Sequence, residues 1–364
     1  MRQGLSEDLI ARVLGGAPKY TVAELEEKFP PRNLPDGAMV TRFAPSPTGF
    51  MHLGNLYSGL IDYKLAQQSN GVFMLRIEDT DTKREIKEAV GIVIDSLAKF
   101  GITYNNDETY GPYYQSKRRD IYHSVAAELL RDGRAYPCFL TQEEMDEIRE
   151  NQKAAGFATG IYGEFARNRD ISAEEIVKHL DKGEIPTIRL YSTGDPNKRI
   201  FFKDTVRGSI SVPENNEDIV LIKSTDRLPT YHFAHLCDDH FMRVTHVVRG
   251  EEYFGTVALH IQMFRMMGWQ LPNYIHTATL DKIDEETGKQ RKMSKRKDPE
   301  NNVAFFMQEG WPTDALIEYL GNILAPGYEE AKLKGAVKNF WEYEMKPKKI
   351  PMSGGLFDMK KLNI

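Results

Sequence analysis

Cysteine is almost missing from this chain. Cys138 and Cys237 are the only two in 364 residues, far apart and outside any C-x-x-C pattern. A disulfide-stapled scaffold and a cysteine-rich zinc site are therefore excluded, and two buried or half-buried thiols are expected. The nine histidines show no zinc-type spacing with them, so no metal site and no structural zinc is predicted. Long apolar runs are missing as well. Without a stretch of about 18 apolar residues no membrane-crossing helix is indicated. The opening MRQGLSEDLI lacks the apolar segment of a secretory signal, which points to a cytoplasmic protein with no membrane partner. Nor is there an excess of positive charge, since 48 Lys and Arg against 53 Asp and Glu leave a net charge of −5. Such a chain does not coat nucleic acid by bulk charge; selective RNA contact would need local basic patches. What is present is an ordinary globular mixture, 41% hydrophobic and 28% charged, long enough for two or three domains.

Along the chain, residues 1–38 read as an appendage. Leu5, Leu9, Val13 and Leu14 share a helical face, Thr21 to Glu24 forms a capping box, and Pro30, Pro31 and Pro35 then break the chain. A βαβ unit follows. Met39 to Ala44 is a short strand, Asn55 to Gln68 a helix carrying Leu56, Leu60, Ile61 and Leu65 on one face, and Val72 to Ile77 a buried parallel strand. Ile86, Val90, Val93 and Leu97 mark the next helix. Residues 117–217 read as an α+β insertion, with a helix from Gln115 to Arg131, capping boxes at Thr141 and Ser172, and strands over 187–191, 200–203 and 209–212. Strands over 218–223 and 245–248 and a helix over 256–267 return to α/β character. Beyond Leu280 a helical, polar region is expected, with Trp311 as a packing aromatic.

Three stretches carry chemistry. Ala44-Pro45-Ser46-Pro47-Thr48-Gly49-Phe50-Met51-His52-Leu53-Gly54-Asn55 joins the first strand to the first helix, whose N-terminus is a natural seat for phosphate. His52 could donate to phosphate oxygens, although a lone histidine near a turn is more often structural. Lys292-Met293-Ser294-Lys295-Arg296 offers mobile cations to a leaving pyrophosphate; alone it reads more readily as a solvated basic loop. Arg76-Ile77-Glu78-Asp79-Thr80-Asp81 ends the second strand, where an open α/β sheet binds its ligands, and it also serves as a capped helix start.

Taken together, the words TRFAPSPTG, HLGN, RIEDTD, GPYYQS, PTYHFA, DDHFMRVTHVVRGEE and KMSKR occur in one order over about residues 40–300. In this the chain resembles the catalytic part of a class I aminoacyl-tRNA synthetase, the glutamyl-tRNA synthetases in particular, without most of their anticodon-binding region. The resemblance implies that Arg42, Ala44, Ser46, Glu78, Tyr231, His235 and Arg249 hold glutamate, with Glu78 facing its ammonium group. It implies that Thr48, His52, Gly54, Asn55, Glu251, Tyr253 and Lys295 meet ATP, and that His52, Lys292 and Lys295 act in catalysis. The chemistry agrees: an anionic side chain calls for guanidinium and hydroxyl partners, and a neutral analogue would forfeit roughly 1.5–3 kcal/mol for each lost charged hydrogen bond. His235 stands where many relatives carry Asn. The insertion keeps Cys138 but lacks the cysteine and histidine cluster some relatives use for zinc, with Tyr162-Gly163 as its remnant.

The expected architecture is a doubly wound, Rossmann-like parallel sheet over residues 39–116 and 218–282. The insertion 117–217 would bind the tRNA acceptor end, and residues 283–364 would form a helical stem-contact region after the signature loop. Expected substrates are L-glutamate, ATP with Mg²⁺, and tRNA(Glu), with tRNA(Gln) as a second candidate, for a monomeric enzyme. Arg167, Arg169, Lys346, Lys348 and Lys349 are candidates for RNA phosphates. The rival readings are a small-substrate nucleotidyltransferase, a non-catalytic RNA-binding paralogue, and a short paralogue that glutamylates a modified tRNA base.

Overall fold

Hydroxyl side chains start the first two helices by taking up orphaned backbone donors. The computed structural model describes residues 3–47, 49–81, 88–294 and 297–362. Ser6 accepts from Leu9 N–H ahead of α1 (Glu7–Leu14), and Thr21 and Glu24 close the expected capping box ahead of α2 (Val22–Lys28). These helices are no appendage. Leu9, Ile10, Val13, Leu14, Leu25 and Phe29 are buried in one apolar cluster with Val125, Leu129, Phe233 and Phe241. Arg243 and His240 both reach Glu26, at 2.7 and 2.6 Å, and the Arg32 guanidinium lies 3.5 Å over the Tyr110 ring. A single apolar stripe looks the same in sequence whether it docks locally or on residues far along the chain.

The expected βαβ unit is β1 (Val40–Phe43), α3 (Leu53–Gln68) and β2 (Val72–Leu75), with β1 and β2 parallel and Arg42 opposite Met74. The next helix is α4 (Ala89–Lys99); its expected start at Ile86 falls outside the described residues. The insertion holds α5 (Arg119–Arg131), β3 (Ala135–Cys138), α6 (Gln142–Ala154), α7 (Ala173–Asp181), β4 (Thr187–Leu190) and the hairpin β5 (Arg199–Asp204) with β6 (Gly208–Pro213). Strand β7 (Val220–Ile222) joins β3 and β4 in an antiparallel sheet, so insertion and main unit share a core. Cys138 and Cys237 are free and buried.

Helix α8 (Tyr231–Phe241), β8 (His246–Gly250), α9 (Val257–Met267) and β9 (Asn273–Thr277) follow, with β8 and β9 parallel and Arg249 opposite His276. The two parallel pairs meet at β1 and β8, where Thr245 N–H donates to the Val40 carbonyl at 3.0 Å. Apolar side chains cover both faces of this layer: Val40, Met74, Val247 and Tyr274 join the cluster of α8 and α9, while Phe43, Leu75, Val248 and Ile275 join that of α3. Burial on both sides is what a doubly wound parallel layer requires.

Past Leu280, where a helical, polar region was expected, a small sheet precedes the helices. Leu280–Ile283 is β10, paired antiparallel with β11 (Gln290–Lys292) and parallel with β12 (Gly355–Leu356). Charged residues on both hairpin arms conceal the alternation a strand normally shows. Helices α10 (Val303–Gln308), α11 (Thr313–Leu324) and α12 (Tyr328–Leu333) then pack against the α3 side, with Trp311 at the edge of that core. Among the described residues no helix is long and apolar enough to cross a membrane.

Since Phe29 is fully buried against Phe241, Phe29→Ala should lower unfolding free energy by about 3–5 kcal/mol in urea titration. A loss under about 1 kcal/mol would show that the first helices do not share the core.

Candidate active site

At the carboxyl ends of the strands, the face turned toward α8 changes chemistry. Counting by twos, Val40, Met74, Val247 and Tyr274 are succeeded by Arg42, Arg76, Arg249 and His276. The pleat thus puts three guanidinium groups and an imidazole side by side, each buried. Isolated buried cations are prohibitively costly, so their partners decide whether the arrangement stands.

Those partners sit on α8. Adjacent residues on a helix point about 100° apart, and Asp238 and Asp239 use that divergence. Asp238 accepts from Arg118 Nε at 2.7 Å, Tyr122 Oη at 2.9 Å and Gln115 Nε2 at 2.9 Å, all near the start of the insertion. Asp239 faces the strand ends and accepts from Arg76 Nη1 at 2.5 Å and Arg42 Nε at 3.2 Å. Burial would raise the Asp239 carboxyl, yet Arg42 and Arg76 hold it well below the usual carboxylate range. Arg42 also donates to the Val248 carbonyl through Nη1, and Arg76 Nη2 reaches Glu78 at 3.2 Å. Four residues apart on one face, Tyr231, His235 and Asp239 form a column leading toward the solvent.

Two imidazoles hold Arg249. Its Nε donates to His276 Nε2 at 3.0 Å, and its Nη1 lies 3.1 Å from His260 Nδ1. Arginine carries only donors, so both facing ring nitrogens present lone pairs and both rings are neutral. Burial lowers both histidines, His260 well below the ordinary value. The third nitrogen, Nη2, is buried without a hydrogen-bond partner among the described residues.

Arg42, Ala44, Ser46, His52, Gly54, Asn55, Glu78, Tyr231, Arg249, Tyr253 and Lys292 line one cavity of about 460 Å³. His52 takes the N-cap position of α3 without capping it through its side chain, so the positive end of that helix opens on the cavity. A Cβ on Gly54 would meet nothing within 4 Å, which leaves backbone exposed there. Lys292 ends β11 with a solvent-facing side chain 3.5 Å from Glu252. Asp298 accepts from Ser294 N–H at 2.6 Å and from Arg291 at 2.7 and 2.8 Å. Burial raises the Glu78 carboxyl above its ordinary value against the pull of Arg76 and Arg42. Burial likewise pushes the Tyr231 phenol up to about 12.

Other expected site residues lie elsewhere. Glu251 turns away to Arg207 at 2.5 Å, and its neighbour Glu252 lines the cavity instead. His235 is fully buried behind the wall, 3.0 Å from Asp239. Thr48 and Lys295 fall outside the described residues. Arg169 packs over Tyr191 and pairs with buried Asp218 at 2.9 Å, a structural role, while Arg167 pairs with Glu147 on the surface. The sequence reading passed over Asp62, a cavity residue whose carboxyl burial drives well above its ordinary value. A lone acid following Leu60-Ile61 on an apolar helix was the available signal.

A family model for tRNA synthetases class I (E and Q), catalytic domain, matches residues 38–363. The chain is 49% identical over 342 residues to a glutamate–tRNA ligase of Acetivibrio thermocellus, covering 92% of this chain and 62% of that one. It is 47% identical over 345 residues to a glutamate–tRNA ligase of Clostridium perfringens strain 13, covering 93% and 63%. The chain thus spans less than two thirds of the length of these curated relatives. It matches the crystal structure of a glutamate tRNA ligase from Elizabethkingia meningosepticum in complex with its amino acid with a TM-score of 0.75 and 30% identity, covering 89% of this chain and 68% of that one.

The histidines make the site's framework sensitive to acid. Burial depresses both His232 and His235 from 6.5 to about 4. An unfolded chain takes up these protons below pH 6.5 while the folded one resists until about 4, so stability is complete above that range and falls across it. Thermal melting temperature should therefore decline steadily from about pH 7 to about pH 5. A flat profile would contradict the buried neutral histidines.

Proposed function

The chain belongs to the family of class I tRNA synthetases (E and Q), catalytic domain, and on that premise we propose that it activates L-glutamate with ATP and transfers the glutamyl group to the 3′ end of tRNA(Glu). One observation carries the reading. Arg249 Nη2 is buried without a partner among the described residues, on the wall of a cavity that Arg42 shares and the α3 N-terminus opens onto. A carboxylate of the amino acid supplies the missing acceptor, and a triphosphate suits the helix end.

In this reading Arg249 and Arg42 receive the side-chain carboxylate, Tyr231 and Ser46 complete its seat, and Glu78 accepts from the α-ammonium group. A carboxylate oxygen of glutamate attacks the α-phosphorus of ATP in line, the bond to the bridging oxygen breaks, and pyrophosphate leaves. His52, Gly54, Asn55 and Thr48 hold phosphate oxygens, and Lys292 and Lys295 neutralise the departing charge. Tyr253 and Glu252 flank the adenosine side. Mg²⁺ enters with ATP, held mainly by phosphate oxygens. A ribose hydroxyl of the terminal adenosine then attacks the acyl carbon and AMP leaves. Residues 117–217 hold the acceptor end, residues 283–364 meet the stem, and the enzyme works as a monomer; tRNA(Gln) is the second acceptor to try.

Glutamate-dependent ATP–pyrophosphate exchange, run with and without tRNA, tests the first step. Labelled glutamate released from tRNA by mild base, as a ribose ester is, tests the second. No exchange under either condition, or a label resistant to mild base, would overturn the proposal. Arg249→Ala should raise KM for glutamate roughly ten- to a hundredfold with KM for ATP little changed; equal rises in both would remove its assigned role. Glu78 must be ionised to receive the ammonium, and its folded value is raised. On acidification kcat/KM for glutamate should therefore fall at a higher pH than an ordinary carboxyl would dictate, and Glu78→Gln should abolish that limb.

A further inference from the structure

The hairpin β5–β6 reaches the candidate site without touching the cavity. Asp204 ends β5, and its side chain is fully buried. Its Oδ1 accepts from Val206 N–H and Arg207 N–H, both at 2.9 Å, which fixes the turn. Its Oδ2 accepts from His276 Nδ1 at 2.7 Å and from His276 N–H at 3.2 Å. Thr205 N–H donates to the Tyr274 carbonyl at 2.9 Å, stapling the hairpin to β9. From His276 the chain continues into Arg249 Nε at 3.0 Å, its cross-strand neighbour in the parallel register.

These bonds allow one proton arrangement. Arg249 can only donate, so His276 Nε2 must accept and Nδ1 must carry the hydrogen, which in turn requires an acceptor at residue 204. Asp204 Oδ2 provides it. Resting on the glutamate-activating reading given above, we infer that Asp204 and His276 are positioning residues for amino-acid specificity: the carboxylate fixes the imidazole tautomer, and the imidazole aims Arg249 so that Nη2 meets the substrate carboxylate. Neither residue touches substrate. His260 braces Nη1 of the same guanidinium and passes its other ring nitrogen to His232 at 3.0 Å, so Arg249 is clamped on two sides with the third nitrogen left for a ligand.

Asp204→Asn tests this with little change of shape. Oδ1 remains to hold the turn, while the amide nitrogen at the other position offers hydrogens where His276 needs a lone pair. The imidazole then flips tautomer and confronts Arg249 Nε–H with a second donor. The expected result is a rise in KM for glutamate of roughly ten- to a hundredfold, a narrower preference for glutamate over glutamine, and KM for ATP within about threefold of the parent. His276→Leu should behave alike. His276→Gln, whose carbonyl can accept from Arg249 and whose amide can donate to Asp204, should recover most of the glutamate affinity. Nitrogen-15 spectra of the parent protein should show His276 as the Nδ1–H tautomer, a readout that needs neither activity nor a folded variant. An Nε2–H tautomer would overturn the relay, as would a folded Asp204→Asn protein with parental KM for glutamate or equal rises for glutamate and ATP. Parent protein inactive in glutamate-dependent exchange but carrying the Nδ1–H tautomer would instead sink the functional reading on which the specificity role rests.

Discussion

Two neighbouring aspartates on α8 hold the molecule's charge together. Asp238 and Asp239 are both fully buried, and Arg42, Arg76 and Arg118 converge on them with Glu78 close by. Three positive and three negative groups share this interior, so the cluster is neutral as a whole while no member could be buried alone. Removing one partner of a buried pair typically costs 3–5 kcal/mol because an uncompensated charge stays behind. The helix is thereby locked in rotation as well as position, since Asp238 answers to the insertion and Asp239 to the strand ends.

The candidate site inherits its order from that lock. Arg42 spends Nε on Asp239 and Nη1 on the Val248 carbonyl, so its guanidinium plane is set before any ligand arrives. Arg249 is set by two imidazoles instead, which orient without neutralising. The two cations therefore differ in character: one is charge-compensated by a carboxylate, the other keeps its full charge for what enters the cavity. An acidic ligand gains most beside the second, where a low-dielectric wall strengthens the attraction.

Much of this was legible in the residues, and for local reasons. Capping boxes at Thr21, Thr141 and Ser172 all formed, because such a motif needs only its own four residues. The βαβ unit was legible from period and run length alone. The hairpin after Leu280 was not, because its strands carry Asp, Lys, Gln and Arg where alternation should show. Helix α8 escaped notice for a related reason: histidines and aspartates interrupt its apolar stripe, and the two aspartates face partners more than a hundred positions away. In the site, motif words located Arg42, Glu78 and Arg249, but nothing local distinguishes Glu251 from Glu252. Which of two adjacent acids faces inward depends on Arg207, a residue of the insertion hairpin.

The docking of the first helices onto α8 also sets a timetable for synthesis. Glu26 and its partner His240 are 214 residues apart. At translation rates of about 5–20 residues per second, roughly 10–40 s pass on the ribosome before that partner exists. Throughout that interval Leu9, Ile10, Leu25 and Phe29 lack the part of their apolar cover that Phe233 and Phe241 of α8 complete.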